Sequence, residues 1–340
     1  MCRSLLAVAV LLFALAGCVT FGGGTRYAGY DYYSIGDTQL PTPGKLQPGL
    51  LLIGGGDWPV DAFHWFFERA GHGHIVILRA SLGDANQREM YEEIGGVASV
   101  QTFVFKSRQA AYSPHVLEAI RRADGIYLGG GDQSRYVRYW QGTPVEEALN
   151  RHVALGKPLG GTSAGLAVQG RYVYGALDGG SLTSGQALTD SRSRRITLVT
   201  NFLRLEPLYS AGVLTDTHFN ERRRQARLMT MMANLHERHP ELPVLGLGVD
   251  EQTALAIDGM GEGRLFTNTG GRAWLFRPGD YALNRRHPIR ADDWQLIGIG
   301  RGSRLDTRDW QVSDAEFNVT ISIRDGEVEY SVDIPAPNQS

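Results

Sequence analysis

Ser163 stands in Gly161-Thr-Ser-Ala-Gly165, a Gly-x-Ser-x-Gly pattern whose glycines permit a strained turn that lifts a serine hydroxyl clear of its strand. A chain with 43 glycines produces such a pattern by chance, so its surroundings must decide. Lys157-Pro-Leu-Gly160 reads as a short strand and the apolar stretch after Gly165 as the start of a helix. The backbone N–H of Ala164 then lies where it can help stabilise an oxyanion. A nucleophilic serine needs a base within hydrogen-bond reach and a third group to fix that base. Of nine histidines, His218 stands apart because it follows the apolar pair Val213-Leu214, inside Asp216-Thr-His-Phe219. The others fall on predicted helices or polar loops. For the orienting acid, Asp250-Glu251 follows the apolar run Val244-Leu-Gly-Leu-Gly-Val249. Serine, histidine and carboxylate at three strand ends are the groups that acyl transfer requires.

The elements that must carry them are legible from periodicity. Gly49–Ile53, Ile75–Leu78, Val100–Phe105 and Gly125–Leu128 are short apolar runs suited to strands buried on both faces. Helical stretches near 60–70, 86–95 and 114–123 separate them. Alternating strand and helix predicts a doubly wound α/β domain with a mostly parallel sheet, in which ligands collect at the carboxyl ends of the strands. The runs 213–217 and 244–249 are expected to complete this sheet, with a basic helix near 219–237 between them. From about 262 the pattern becomes β-like and ends in a hairpin around Asp325-Gly326. The expected division is a leader over 1–17, a tether over 18–48, a catalytic domain over 49–261 and a small β-rich C-terminal extension over 262–340.

Four motifs occur in order: Gly129-Gly-Gly-Asp-Gln133, Gly161-Thr-Ser-Ala-Gly165, Asp216-Thr-His-Phe219 followed by Arg222, Arg224 and Arg227, and Gly248-Val-Asp-Glu-Gln-Thr-Ala254. Together they resemble the cyanophycinases of peptidase family S51, over roughly residues 49–258. The resemblance implies a fold like the class I glutamine amidotransferases, with Ser163 as nucleophile, His218 as base and Glu251 as orienting acid. It also implies Gln133, Asp216, Arg222, Arg224 and Arg227 around the substrate. An oxyanion hole is expected from the N–H groups of Gly131 and Ala164. The substrate so implied is a peptide, either the β-linked aspartate–arginine polymer or its fragments. An aspartyl di- or tripeptidase is the nearest enzyme alternative, and a surface binding protein without turnover is the alternative from another class. Two departures bear on the substrate: Thr217 stands where cyanophycinases usually have glutamine, and residues 171–212 contain extra sequence with Asp190, Arg192, Arg194 and Arg195.

Spacing adds to this picture. Arg224 and Arg227 are three apart and share a helix face, which fits a two-point grip on a carboxylate. The order Ser, His, Glu differs from that of α/β-hydrolases, where the acid precedes the histidine. That scheme would need Asp190 or Asp216 as acid and His287 as base. No metal-ligand spacing and no phosphate-cradling glycine motif occurs, so neither a metal nor a cofactor is expected.

A formal charge of −2 gives no field for polyanions, and nucleic acid is not an expected partner. Leu5–Ala16 is apolar but too short to span a bilayer. It follows Arg3 and closes on Leu15-Ala-Gly-Cys18, the layout of a lipoprotein signal. Cys18 is therefore the expected lipidation site, which places the protein on the cell envelope, held to a membrane by lipid. The only other cysteine, Cys2, lies inside the leader, so no disulfide is expected. The sequence leaves the oligomeric state open, a homodimer included.

Overall fold

The computed structural model describes residues 24–81 and 85–335. The leader and Cys18 lie outside the described residues. Seven strands open the fold in one sheet: β1 (Thr25–Tyr27), β2 (Tyr30–Gly36), β3 (Gly49–Ile53), β4 (His74–Arg79), β5 (Ser99–Phe105), β6 (Gly125–Leu128) and β7 (Leu159–Thr162). Strands β3, β4, β6 and β7 are buried along their whole length, as their unbroken apolar or glycine-rich sequences require. The five central strands, in the order β5-β4-β6-β7-β3, are all parallel to one another.

Helix α1 (Val60–Arg69) packs on one face of this sheet, where Phe63, Phe66 and Phe67 meet Leu51, Ile53, Ile75 and Ile77. The short helix α2 (Ala85–Arg88) continues into a π-helical turn over Glu89–Ile94. Helices α3 (Pro114–Arg122), α4 (Gln133–Trp140) and α5 (Pro144–Ala154) cover the other face, with Ile120, Trp140 and Leu149 against Val76, Leu78 and Leu128. Helices thus cover both faces, as a parallel sheet requires.

Beyond β7 the chain departs from the expectation of one sheet. After helix α6 (Ala164–Ala167), strands β8 (Tyr172–Tyr174), β9 (Leu198–Thr200), β10 (Val213–Asp216) and β11 (Leu245–Val249) found a second sheet. Strands β12 (Thr253–Asp258) and β13 (Glu262–Thr267) return to the first sheet. Then β14 (Ala273–Arg277), β15 (Asp280–Ala282) and β16 (Arg290–Ile299) join the second, β17 (Arg304–Asp306) and β18 (Gln311–Ser313) the first, and the hairpin β19 (Phe317–Arg324) and β20 (Glu327–Tyr330) the second. Val213, Leu247, Val249, Leu275 and Ile297 share a core with Leu50, Leu52, Leu255 and Ile257, which joins the two sheets. Helix α7 (Ser184–Thr189) and the long α8 (Gln225–Arg238) belong to a separate core on the far side of the second sheet, with Trp274, Phe276 and Leu296.

Two expected boundaries do not fall at structural divisions. The stretch 18–48 is not wholly a tether, because β1 and β2 extend the first sheet along the edge of β5 through seven paired residues of β2. Nor does 261/262 separate an extension, since β13 pairs directly with β12, and β14 with β11. Periodicity marks a strand but not the partner it will choose.

Candidate active site

Ser163 sits between β7 and α6 with φ 51° and ψ −115°, a backbone conformation that a non-glycine residue keeps only when its surroundings over-determine it. Two bonds supply the constraint: Ser163 N–H donates to Ile53 O (3.0 Å), and Ala167 N–H donates to Ser163 O (2.9 Å). The motif's last glycine is required by space, because a Cβ on Gly165 would stand 2.0 Å from Leu128 O.

His218 follows β10 and also has a positive φ, 44°. Its N–H donates to Gly54 O (2.8 Å), and Phe219 N–H donates to Val249 O (3.2 Å). Glu251 follows β11, and the next residue, Gln252, donates its N–H to Gly55 O (2.7 Å). The turn after β3 therefore braces the His218 and Glu251 segments together. A Cβ on Gly55, whose φ is 124°, would lie 2.2 Å from His218 Cε1, so the imidazole stands directly over a glycine. Gly54-Gly-Gly-Asp57 is visible in the sequence as a second copy of the 129–132 pattern, yet its bracing role was missed. The available signal was a glycine turn at the end of the strand that pairs with β7.

The three side chains meet. Ser163 Oγ lies 2.7 Å from His218 Nε2, and His218 Nδ1 lies 2.5 Å from Glu251 Oε1. Burial lowers the His218 pKa from its ordinary value of 6.5, the hydrogen bond to Glu251 opposes that, and the nearby Arg222 adds to the lowering. His218 is thus neutral at neutral pH and free to accept a proton at Nε2. Glu251 stays about one-third exposed, with the exposed Arg222 at 3.9 Å. The turn that carries Gly131 borders the serine, since a Cβ on Gly130 would lie 3.6 Å from Ser163 Cβ. Gly131 has φ 136°, and Ala164 opens α6 directly after Ser163. Gln133 begins α4, whose first turn is capped by Asp132 through Ser134 N–H (2.9 Å), and its side-chain amide reaches Tyr174 O at 3.5 Å.

The arginines and Asp216 are arranged otherwise than the helix spacing suggests. Arg224 precedes α8, because the chain from His218 to Arg224 is a loop with a second positive φ at Arg223. Arg227 and Asp216 are 2% and 3% exposed and face each other. Arg227 Nε donates to Asp216 Oδ2 (2.8 Å) and Nη2 to Oδ1, while Nη1 donates to Ser181 Oγ (2.9 Å) and Leu182 O (2.7 Å). Arg224 Nη1 donates to Thr217 O (2.7 Å), Thr217 Oγ1 (3.1 Å) and Asp216 Oδ1 (3.3 Å). Burial pushes the Asp216 pKa up, but Arg227 and Arg224 outweigh it and hold the carboxyl below its usual range. A two-point substrate clamp from Arg224 and Arg227 is therefore corrected: Arg227 and Asp216 spend their bonds on each other. Of the three arginines, Arg222 is the one turned to solvent. Asp190 accepts from the backbone N–H groups of Arg192 and Arg286, and His287 is exposed, while His218 holds the place beside Ser163.

Comparison with known proteins identifies the family. The model of peptidase family S51 matches residues 85–262. A cyanophycinase of Geminocystis herdmanii (strain PCC 6308) is 31% identical over 285 residues, spanning 78% of this chain and 96% of the relative. The cyanophycinase of Trichormus variabilis (strain ATCC 29413 / PCC 7937) is 29% identical over 231 residues, spanning 65% of this chain and 71% of the relative. Among solved structures, a peptidase from an acI-B1 Actinobacterium shares the fold with a TM-score of 0.51 at 16% identity, covering 77% of this chain and 98% of that one. The chain belongs to peptidase family S51.

Proposed function

We propose that this S51 peptidase is a serine hydrolase of the cyanophycinase kind, acting through Ser163, His218 and Glu251. One observation carries the proposal: His218 stands between Ser163 Oγ at 2.7 Å and Glu251 Oε1 at 2.5 Å. Ser163 Oγ bonds to the carbonyl carbon of an amide as its proton passes to His218 Nε2. The C–N bond then breaks, and His218 returns the proton to the leaving amine. Water repeats the sequence to free the acid and restore Ser163. Glu251 holds the Nδ1–H tautomer and stabilises the imidazolium. The N–H groups of Gly131 and Ala164 receive the oxyanion.

The proposed substrate is the β-linked aspartate–arginine polymer or its fragments, met outside the cytoplasm by a protein lipidated at Cys18. Likeness to cyanophycinases across most of the chain supports this substrate. An aspartyl di- or tripeptidase is the second reading, favoured by the inward pairing of Arg227 with Asp216, which leaves fewer charges facing a substrate.

The test is hydrolysis of the β-aspartyl-arginine polymer, β-aspartyl dipeptides and α-aspartyl peptides by wild type. Preference for the polymer is expected. Preference for dipeptides would select the second reading, and equal cleavage of α-linked peptides would remove the β-aspartyl assignment.

A further inference from the structure

A second carboxylate stands beside Glu251 that the proposed chemistry leaves unused. Asp250 is 1% exposed. Its Oδ1 accepts from the backbone N–H of Asn220 (3.0 Å) and from Trp274 Nε1 (2.7 Å), and its Oδ2 accepts from the backbone N–H of Arg272 (2.9 Å). Its own N–H donates to Arg272 O (3.0 Å). Burial pushes its pKa up to about 7, with Glu221 adding to the rise and the three donors opposing it.

The donors come from the segments whose relative position sets the triad. Asn220 is two residues past His218, in the loop that keeps the imidazole-bearing residue at φ 44°. A positive φ at such a residue persists only if its neighbours hold it. Three bonds do so here: His218 N–H to Gly54 O, Phe219 N–H to Val249 O and Asn220 N–H to Asp250 Oδ1. The third is made by a side chain, as is the bond from Arg224 Nη1 to Thr217 O on the other side of His218. Asp250 also directly precedes Glu251, so the residue that ties down the base is joined covalently to the acid. Trp274 belongs to β14, the neighbour of β11, and its ring lies 5.9 Å from that of Phe219. We infer that Asp250 is a positioning residue for the triad, whose carboxylate bridges the His218 loop, the Glu251 turn and β14 and so sets the distance between base and acid. The inference rests on the triad proposed above.

The residue type follows from the donors. Three N–H groups converge, and a carboxylate accepts on both oxygens. Asparagine has nearly the same shape but offers one oxygen and turns an NH2 group toward a donor. Asp250→Asn therefore removes part of the bridge without opening a cavity, and Trp274→Phe removes one donor together with part of a buried ring.

Both variants, wild type and Ser163→Ala are compared as full chains for kcat and KM on whichever aspartyl substrate wild type turns over. The low-field proton resonance of His218 Nδ1–H is recorded alongside. For Asp250→Asn, kcat should fall about ten- to a hundredfold with KM changed less than about twofold, since misplacement by about 1 Å costs rate on that scale. The His218 resonance should shift or broaden. Trp274→Phe should move both readouts the same way by a smaller amount, and it carries the test alone if Asp250→Asn does not fold. Unchanged kcat and an unchanged resonance in a folded variant, with Ser163→Ala inactive, would overturn the role of Asp250 and leave the triad standing. Activity retained in Ser163→Ala would instead overturn the triad, and this inference with it.

Discussion

His218 works between opposed influences, and its pH dependence should show them. Burial lowers its pKa below 6.5, while the hydrogen bond it donates to Glu251 raises it. His218 is neutral above its folded pKa, so its inflection on the acid limb of kcat/KM should lie below 6.5, beneath the one that protonation of Asp250 sets near 7, and activity should fall further as His218 gains a proton. Glu251→Gln removes the influence that raises the pKa, so the inflection should move to still lower pH. The rate on the plateau should fall by as much as about ten-thousandfold, because an amide neither fixes the tautomer nor stabilises the imidazolium. A kcat/KM profile across the acid range for both proteins checks the pair of outcomes. An inflection that stays in place or rises would mean that Glu251 is not the partner of His218.

At the scale of elements, the buried ion pair Asp216–Arg227 joins β10 and α8 to the segment that holds Ser181 and Leu182. Removing Arg227 leaves a buried carboxylate without its main partner, so Arg227→Ala should destabilise the protein by about 3–5 kcal/mol. The sign with pH follows from Asp216. In wild type its folded pKa lies below the ordinary 3.8, so its stabilising contribution is present above that value and lost as pH falls through the folded pKa. Without Arg227, burial is less opposed and the folded pKa rises, so the deficit should narrow on acidification. Urea unfolding of wild type and variant at neutral and acid pH reads both effects. A deficit that stays constant with pH would detach the loss from Asp216.

This pair also shows where sequence stops being informative. Ser163 stands in a glycine turn after a short strand, and His218 and Glu251 stand past short apolar runs that become buried strands, so their positions at strand ends were legible. Three-residue spacing indicates that Arg224 and Arg227 could share a helix face. It does not reveal that Arg224 lies before the helix, where positive φ at His218 and Arg223 keeps the chain in a loop, or that Arg227 turns toward a buried Asp216. Nor does an apolar run name its neighbour, so β10 and β11 read as members of the first sheet although they build the second.

Across the whole molecule, the site forms where the two sheets meet. The first sheet contributes the ends of β3, β6 and β7, with the Gly54-Gly55 turn, the Gly129–Asp132 turn and Ser163. The second contributes the ends of β10 and β11, with His218 and Glu251. Pairing of β12 with β3 and of β14 with β11, together with the shared core of Leu247, Val249, Leu255 and Leu275, fixes one sheet against the other. A serine from one sheet thereby faces a histidine from the other at hydrogen-bond distance. The resemblance in four motifs was enough to place the family, but the dependence of the site on two sheets rather than one was not legible from it.

The most direct test of the proposed triad is covalent labelling by a fluorophosphonate, followed by peptide mapping, for wild type, Ser163→Ala and His218→Ala. The account predicts one adduct, on Ser163, in wild type. It predicts no adduct in Ser163→Ala, and labelling slowed by orders of magnitude in His218→Ala, because serine is a weak nucleophile without its base. An adduct on another residue, or equally fast labelling of Ser163 when His218 is gone, would contradict it.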